Sequence, residues 1–236
     1  MQEEKQIVKH GAGGKTAFLA IRELIVSGRL APGSWIVEAD LSNRLGLSRT
    51  PIRAGLQWLL HEGYVVARGS GAKSKLIVAP MTLQDAMELY AIVGHMEGIA
   101  GRRTAQIAEP RRKKLVVELK KYNTRLARMV KATEMPYHEF ADVDTSFHDA
   151  IVEAADVPRL LTIYNAIKPQ TERYWRLYSS PNPKELANSI PEHNQIIEAI
   201  AAGDGKATER GLQINWEKGA ERLAKLIAQQ GERGNW

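Results

Sequence analysis

Leu41 to Leu60, LSNRLGLSRTPIRAGLQWLL, is the stretch that most restricts how this chain can fold. Leu41 and Leu45 lie four apart on one helical face, and Gly46 can end that helix. Ser48 offers its hydroxyl as N-cap of a second helix. Pro51 falls in the first turn of that helix, where a missing N–H costs nothing. Ile52, Leu56 and Leu59 repeat at helical spacing as a buried stripe. Arg49, Thr50, Arg53 and Gln57 fall on an adjoining face. The spacing predicts two short helices joined by a tight turn, the second bearing two arginines one turn apart. A helix that packs on a domain while lying in the major groove of DNA needs this arrangement. An ordinary surface helix with two solvated arginines shares it.

Charge favours a polyanion. The chain has 236 residues and a net charge of +6, unevenly spread. Between Lys15 and Ala79 nine Lys/Arg face four Asp/Glu, giving +5; residues 1–14 balance, which leaves about +1 after Ala79. A basic domain tied to a near-neutral one fits a partner that touches the first part only. With no cysteine, disulfides and thiolate metal sites are excluded. No apolar run approaches the roughly 20 residues that span a bilayer, and the amino terminus lacks an apolar signal core. The expectation is a cytoplasmic protein without membrane contact.

Three segments follow: an arm over residues 1–14, a DNA-binding domain over 15–79 and an all-helical domain over 80–236. A first helix is expected over Lys15–Ser27, ended by Gly28. Leu30-Ala31-Pro32-Gly33 is a turn, and Trp35–Val37 is extended. Beyond Gly63, two β-prone runs, Tyr64–Ala67 and Leu76–Ala79, flank a Gly/Ser/Lys-rich loop, a hairpin with a basic tip. After Pro80 no strand is expected. Thr82 and Asp85 suggest a capping box opening a helix to about Ile107. Pro110, Pro136, Pro158 and Pro191 lie at or near the starts of four more, and Asp204 opens a last one to about Gln230. Pro169 is expected to kink its helix. Six helices with Pro or Gly punctuation describe an antiparallel bundle.

The run IRELIVSGRLAPGSWIVEADLSNRLGLSRTPIRAGLQWLLHEGYV resembles the winged-helix domain of GntR-type bacterial transcription regulators. Its diagnostic parts are Gly28–Gly33 and Leu47–Arg53. The helical remainder resembles the effector (FCD) domain of the subgroup named for the fatty-acid regulator FadR, through Asp144-x-x-x-His148, Glu192-His193 and Ala199-Ile200 leading to Gly203-Asp204. The resemblance implies a mostly α fold: an N-terminal winged helix-turn-helix followed by a helical-bundle effector domain. It implies a homodimer on a near-palindromic double-stranded operator. Ser48, Arg49, Thr50 and Arg53 would meet the DNA, with the wing residues Gly69, Ser70, Gly71 and Lys73. An arginine at such a helix start can pair bidentately with guanine, and short hydroxyls suit phosphate.

Asp144 and His148, four apart, point the same way on a helix and can share a divalent metal, with His193 as a third ligand from a later helix. The family pattern is one Asp and three His. Here the expected fourth position is Asn215, whose carbonyl oxygen is a poorer ligand for zinc or nickel than imidazole. Zinc, nickel and manganese remain open. His138 and Asp142 form a competing pair on spacing alone. For capture of a small organic-acid effector, relatives carry an arginine where this chain has Val93. Arg102, Arg173 and Arg176 are the candidate cations, and Trp175 or Tyr174 a candidate wall.

Three functions compete. The first is a ligand-responsive repressor, in which effector binding weakens operator affinity. The second is a metal-dependent enzyme on the bundle, which would need an open metal position and a general base. The third is an architectural DNA binder, for which so large a near-neutral bundle has no use.

Overall fold

The computed structural model describes residues 2–69, 74–178 and 183–234. The chain divides into two compact units, Met1–Thr82 with Glu232–Trp236, and Leu83–Gly231.

The first unit is built from α1 (Gln2–Val26), α2 (Glu38–Leu45), α3 (Arg49–His61), β1 (Val65–Arg68) and β2 (Lys75–Val78). Helix α1 begins well before Lys15, so the segment expected as an arm is helical. Its opening residues, QEEKQIVK, are good helix formers without proline. Ala17, Ile21 and Ile25 of α1 meet Ile52, Leu56 and Leu59 of α3 in one core, closed by Tyr64, Val65 and Val78. The two helices approach closely because Gly55 carries no side chain: a Cβ there would stand 2.7 Å from the Phe18 backbone nitrogen. Gly46 ends α2 in the left-handed region at φ 64°. Ser48 is the N-cap residue of α3, but its hydroxyl makes no capping hydrogen bond, which corrects the role expected of it. The hairpin is antiparallel, with Val65 opposite Val78 and Arg68 opposite Lys75. Gly69 turns the chain out of β1 at φ 102°. Ser70, Gly71 and Lys73 lie outside the described residues. The extended piece expected at Trp35–Val37 lies along the hairpin, with Trp35 bridging Ile77.

The second unit contains α4 (Leu83–Thr104), α5 (Glu109–Met129), α6 (Tyr137–Ala154), α7 (Pro158–Leu177), α8 (Pro183–Leu186), α9 (Ser189–Ala202) and α10 (Gly205–Gln230). Pro110 and Pro158 occupy first-turn positions in their helices. Asp204 caps α10 by accepting from the Ala207 N–H at 3.0 Å. Helix α7 continues through Pro169. The one-turn helix α8 was not expected. Leu115 and Leu119 pack with Phe147, Ile151, Ile196, Ile200 and Leu212. A second cluster joins Leu126 and Met129 to Phe140, Val143 and Leu186. Helices α4 and α10 lie close along a seam where a Cβ on Gly94 would come within 2.8 Å of the Trp216 Cβ. No helix among the described residues is long and apolar enough to cross a membrane.

Candidate functional site

At the amino end of α3, Ser48, Arg49 and Thr50 are exposed. Arg49 makes no hydrogen bond or ion pair among the described residues. Arg53 also points outward, its side chain 65% exposed, but its Nε donates to Glu38 Oε2 at 2.7 Å. The first arginine is therefore available to a duplex without rearrangement, whereas the second must leave, or share, a carboxylate at the start of α2.

Inside the helical unit, Asp144, His148 and His193 come together. They are the acid–histidine cluster among the described residues whose donor atoms could share one metal ion. His148 Nε2 lies 4.0 Å from Asp144 Oδ2, and His193 Nε2 lies 3.7 Å from Asp144 Oδ1. What makes the cluster a fit for a metal is the state of its imidazoles. His148 Nδ1 donates to Glu97 Oε2 at 2.5 Å, since a carboxylate can only accept. Asn123 donates its amide N–H groups to the Ile190 carbonyl (3.0 Å) and Asn194 Oδ1 (2.8 Å). Its own Oδ1 is then the acceptor for His193 Nδ1–H at 3.2 Å. Both rings are thus held through Nδ1, with Nε2 turned toward Asp144, the orientation that outer partners impose on ligating histidines. His193 Nε2 is buried and has no hydrogen-bond partner, a state that costs free energy unless something binds it.

The electrostatics separate the two rings. Burial would lower His148, but the charge and hydrogen bond of Glu97, with Asp144, raise it, so a metal there must displace its proton. Burial, reinforced by the charges of His148 and Arg222, pushes His193 well below its ordinary pKa, so the ring is neutral and offers a lone pair. Burial also raises the Asp144 carboxyl against the pull of His148, Lys168 and Arg222, although a quarter of its side chain remains exposed. Burial would raise Glu97 too, but the opposing charge and hydrogen bond of His148, with Lys168 and Trp216, bring it below its usual value. Glu97 is 0% exposed. It accepts from Trp216 Nε1 at 2.7 Å and from the Tyr164 hydroxyl at 2.9 Å as well as from His148. The carboxylate is thus a buried hub that fixes one metal-facing ring and one aromatic wall.

A cavity of about 120 Å³ adjoins the cluster, bordered by Asp144, His148, Lys168, Thr171, Trp175 and Trp216, with Arg176 also on its wall. A smaller one of about 30 Å³ is shared by Asp144, His148, Asn215 and Arg222. Asn215 is buried, and its Nδ2 donates to Glu192 Oε2 at 2.7 Å; its carbonyl oxygen is the donor atom left to offer a metal. Of the residues expected at an effector, Trp175 and Arg176 border the larger cavity. Arg102 does not: it is exposed at the end of α4, where it pairs with Glu209 at 3.5 Å. Arg173 is 1% exposed and packed inside the bundle, and it does not border this cavity either. The competing His138 is exposed, and Asp142 lies at the cavity's edge. Glu97, Asn123 and Lys168 were missed. A signal existed for Lys168: it stands four residues after Tyr164 and seven before Trp175, on the buried stripe of its helix, where a lysine is out of place.

A winged helix joined to an all-helical body is the build of a DNA-binding transcription regulator. Residues 14–73 match the bacterial regulatory proteins of the gntR family, and residues 88–215 match the FCD domain. The chain belongs to the GntR family, in the branch that carries an FCD domain. It is 28% identical to a protein of Paenarthrobacter nicotinovorans described as "Probable D-xylose utilization operon transcriptional repressor", over 80% of this chain and 78% of that one. It is 26% identical to the gluconate operon transcriptional repressor of Bacillus subtilis, over 94% and 89%. The solved structure of E. coli McbR/YncC has the same fold, with a TM-score of 0.69 at 19% identity, covering 92% of this chain and 98% of that one. These relatives are regulators rather than enzymes, and the enzyme reading has no support among them.

Proposed function

We propose that this chain is a cytoplasmic, homodimeric repressor released from its operator by a small organic acid. Each copy lays the amino end of α3 into the major groove, with Arg49 and Arg53 at base edges and Ser48 and Thr50 at phosphates. The wing, from Gly69 through Ser70, Gly71 and Lys73, follows the backbone. Two copies imply half-sites about one helical turn apart. In the helical unit Asp144, His148 and His193, with the Asn215 oxygen, hold a divalent metal that supplies a Lewis-acidic anchor for a ligand oxygen. The effector enters the cavity beside them. It shifts the protein toward a state with weaker operator affinity by binding that state better.

The observation that carries this reading is the buried Nε2 of His193, without a hydrogen-bond partner, facing Asp144 and His148, two residues that border a cavity. A relative named for a gluconate operon favours a sugar acid. The test has two arms. Elemental analysis of protein purified without chelator should find close to one divalent metal per chain. Fluorescence anisotropy on a duplex enriched from a random library should show release by an acid such as gluconate. A metal-free protein whose DNA binding no small acid alters would contradict the proposal.

A further inference from the structure

Lys168 is 5% exposed, yet its ammonium has no hydrogen bond among the described residues. The nearest carboxylate oxygen, Asp149 Oδ1, stands 4.0 Å away. A lysine is almost never buried without a close partner, because desolvating an ammonium is costly. This one borders the cavity that Asp144 and His148 also border. Its helix is arranged around that placement. Lys168, Thr171 and Trp175 stand at i, i+3 and i+7 on α7 and all three line the cavity. Thr171 Oγ1 donates to the Lys168 carbonyl at 2.7 Å. Of the other cations nearby, Arg176 shares the wall of this cavity and the rest are placed differently. Arg222 borders the smaller cavity and reaches Glu192 Oε1 at 3.4 Å. Arg102 and Arg173 do not border the larger one.

We propose that Lys168 receives the acid group of a compact organic anion, taking the part for which the sequence offered only arginines. The proposal rests on the effector reading above and specifies how the ligand is held. The Lys168 ammonium binds one end. The other reaches the side of the cavity where Asp144 and His148 lie. Trp175 and Trp216 wall the space between, and Thr145 and Thr171 border it. A volume of about 120 Å³ suits a compact ligand. An ammonium at one end with threonines along the wall fits a short hydroxy acid.

The test uses full-length, metal-loaded protein with gluconate, malate and acetate as probes and glucose as the uncharged control. Thermal shift and tryptophan emission are the readouts, the latter because two tryptophans line the cavity. In Lys168→Met the unliganded melting temperature should hold or rise, since an ammonium whose nearest carboxylate oxygen stands 4.0 Å away gives way to an apolar side chain inside the bundle. Zinc affinity by calorimetry on stripped, reloaded protein should stay close to wild type. Affinity for the acid probe should fall roughly 10- to 100-fold, the loss expected for a charge-assisted hydrogen bond. Three results would overturn the proposal while leaving the effector reading intact: an unchanged response to acid in Lys168→Met, loss of that response in Arg176→Met instead, or equal binding of glucose by the wild type. A wild type that binds no probe would defeat the effector reading itself, and this proposal with it.

Discussion

Arg49 and Arg53 sit one turn apart on the same helix, but their surroundings separate them. Among the described residues Arg49 has no ion-pair partner to lose, whereas Arg53 holds Glu38 at 2.7 Å. An exposed pair of this kind contributes about 0–1 kcal/mol, so DNA can compete for the guanidinium. Glu38→Gln should leave DNA affinity unchanged or slightly tighter, and Arg53→Ala should weaken it; titration by fluorescence anisotropy separates the two. If both variants weaken binding alike, the pair itself positions α3. In the helical unit the decisive residue is Glu97. Glu97→Gln replaces an acceptor that serves His148, Trp216 and Tyr164. Metal affinity should fall about 10- to 100-fold, as calorimetry on stripped protein would show; an unchanged affinity would mean that His148 does not depend on it. Asp144 and His148 were legible because i, i+4 spacing fixes their common face. The partners on Nδ1 were not, because Glu97 and Asn123 lie 51 and 70 residues from the rings they hold. Arg102 and Arg173 were misjudged for a related reason: charge can be read from sequence, whereas an ion pair across helices or full burial cannot.

At the level of elements, punctuation carried most of the information. Pro110, Pro136, Pro158 and Gly203 delimit helices where proline and glycine chemistry places boundaries. The β-prone runs flanking the Gly-rich loop do form the hairpin, displaced by about one residue, within the ordinary uncertainty of strand ends. Two elements escaped. Helix α1 extends back to Gln2, through the segment expected as an arm and through the glycines at 13 and 14. In the fold they face α3, where a Cβ would lie 3.4 Å from the Pro51 Cβ and 3.2 Å from the Ala54 Cβ. Small size at a helix contact, not chain freedom, explains them. Helix α8 is a single turn, too short for any periodic signal. The same close approach yields a prediction. Gly55→Ala would force a Cβ to 2.7 Å from the Phe18 backbone nitrogen, and backbone cannot swing away as a side chain can. Such overpacking costs typically 1–3 kcal/mol, visible as a lower melting temperature. An unchanged melting temperature would show that α1 and α3 can separate freely.

For the whole molecule, the uneven charge predicts a division of labour, and the chain carries two compact units and two family matches. The N-terminal unit has the fold of a DNA reader. The helical unit holds the buried carboxylates, imidazoles and cavity that suit a sensor. What links them is the proposal that base reading begins at the amino end of α3. Affinity of wild type and Arg49→Ala should be measured on a duplex enriched from a random library and on unselected duplex at the same salt. The enriched sequence should be near-palindromic, with half-sites about one helical turn apart. Arg49→Ala should lose about 1–3 kcal/mol on that duplex and much less on unselected DNA. Equal losses on both would reduce Arg49 to a phosphate contact, and failure of the library to converge on any sequence would contradict a role in reading an operator.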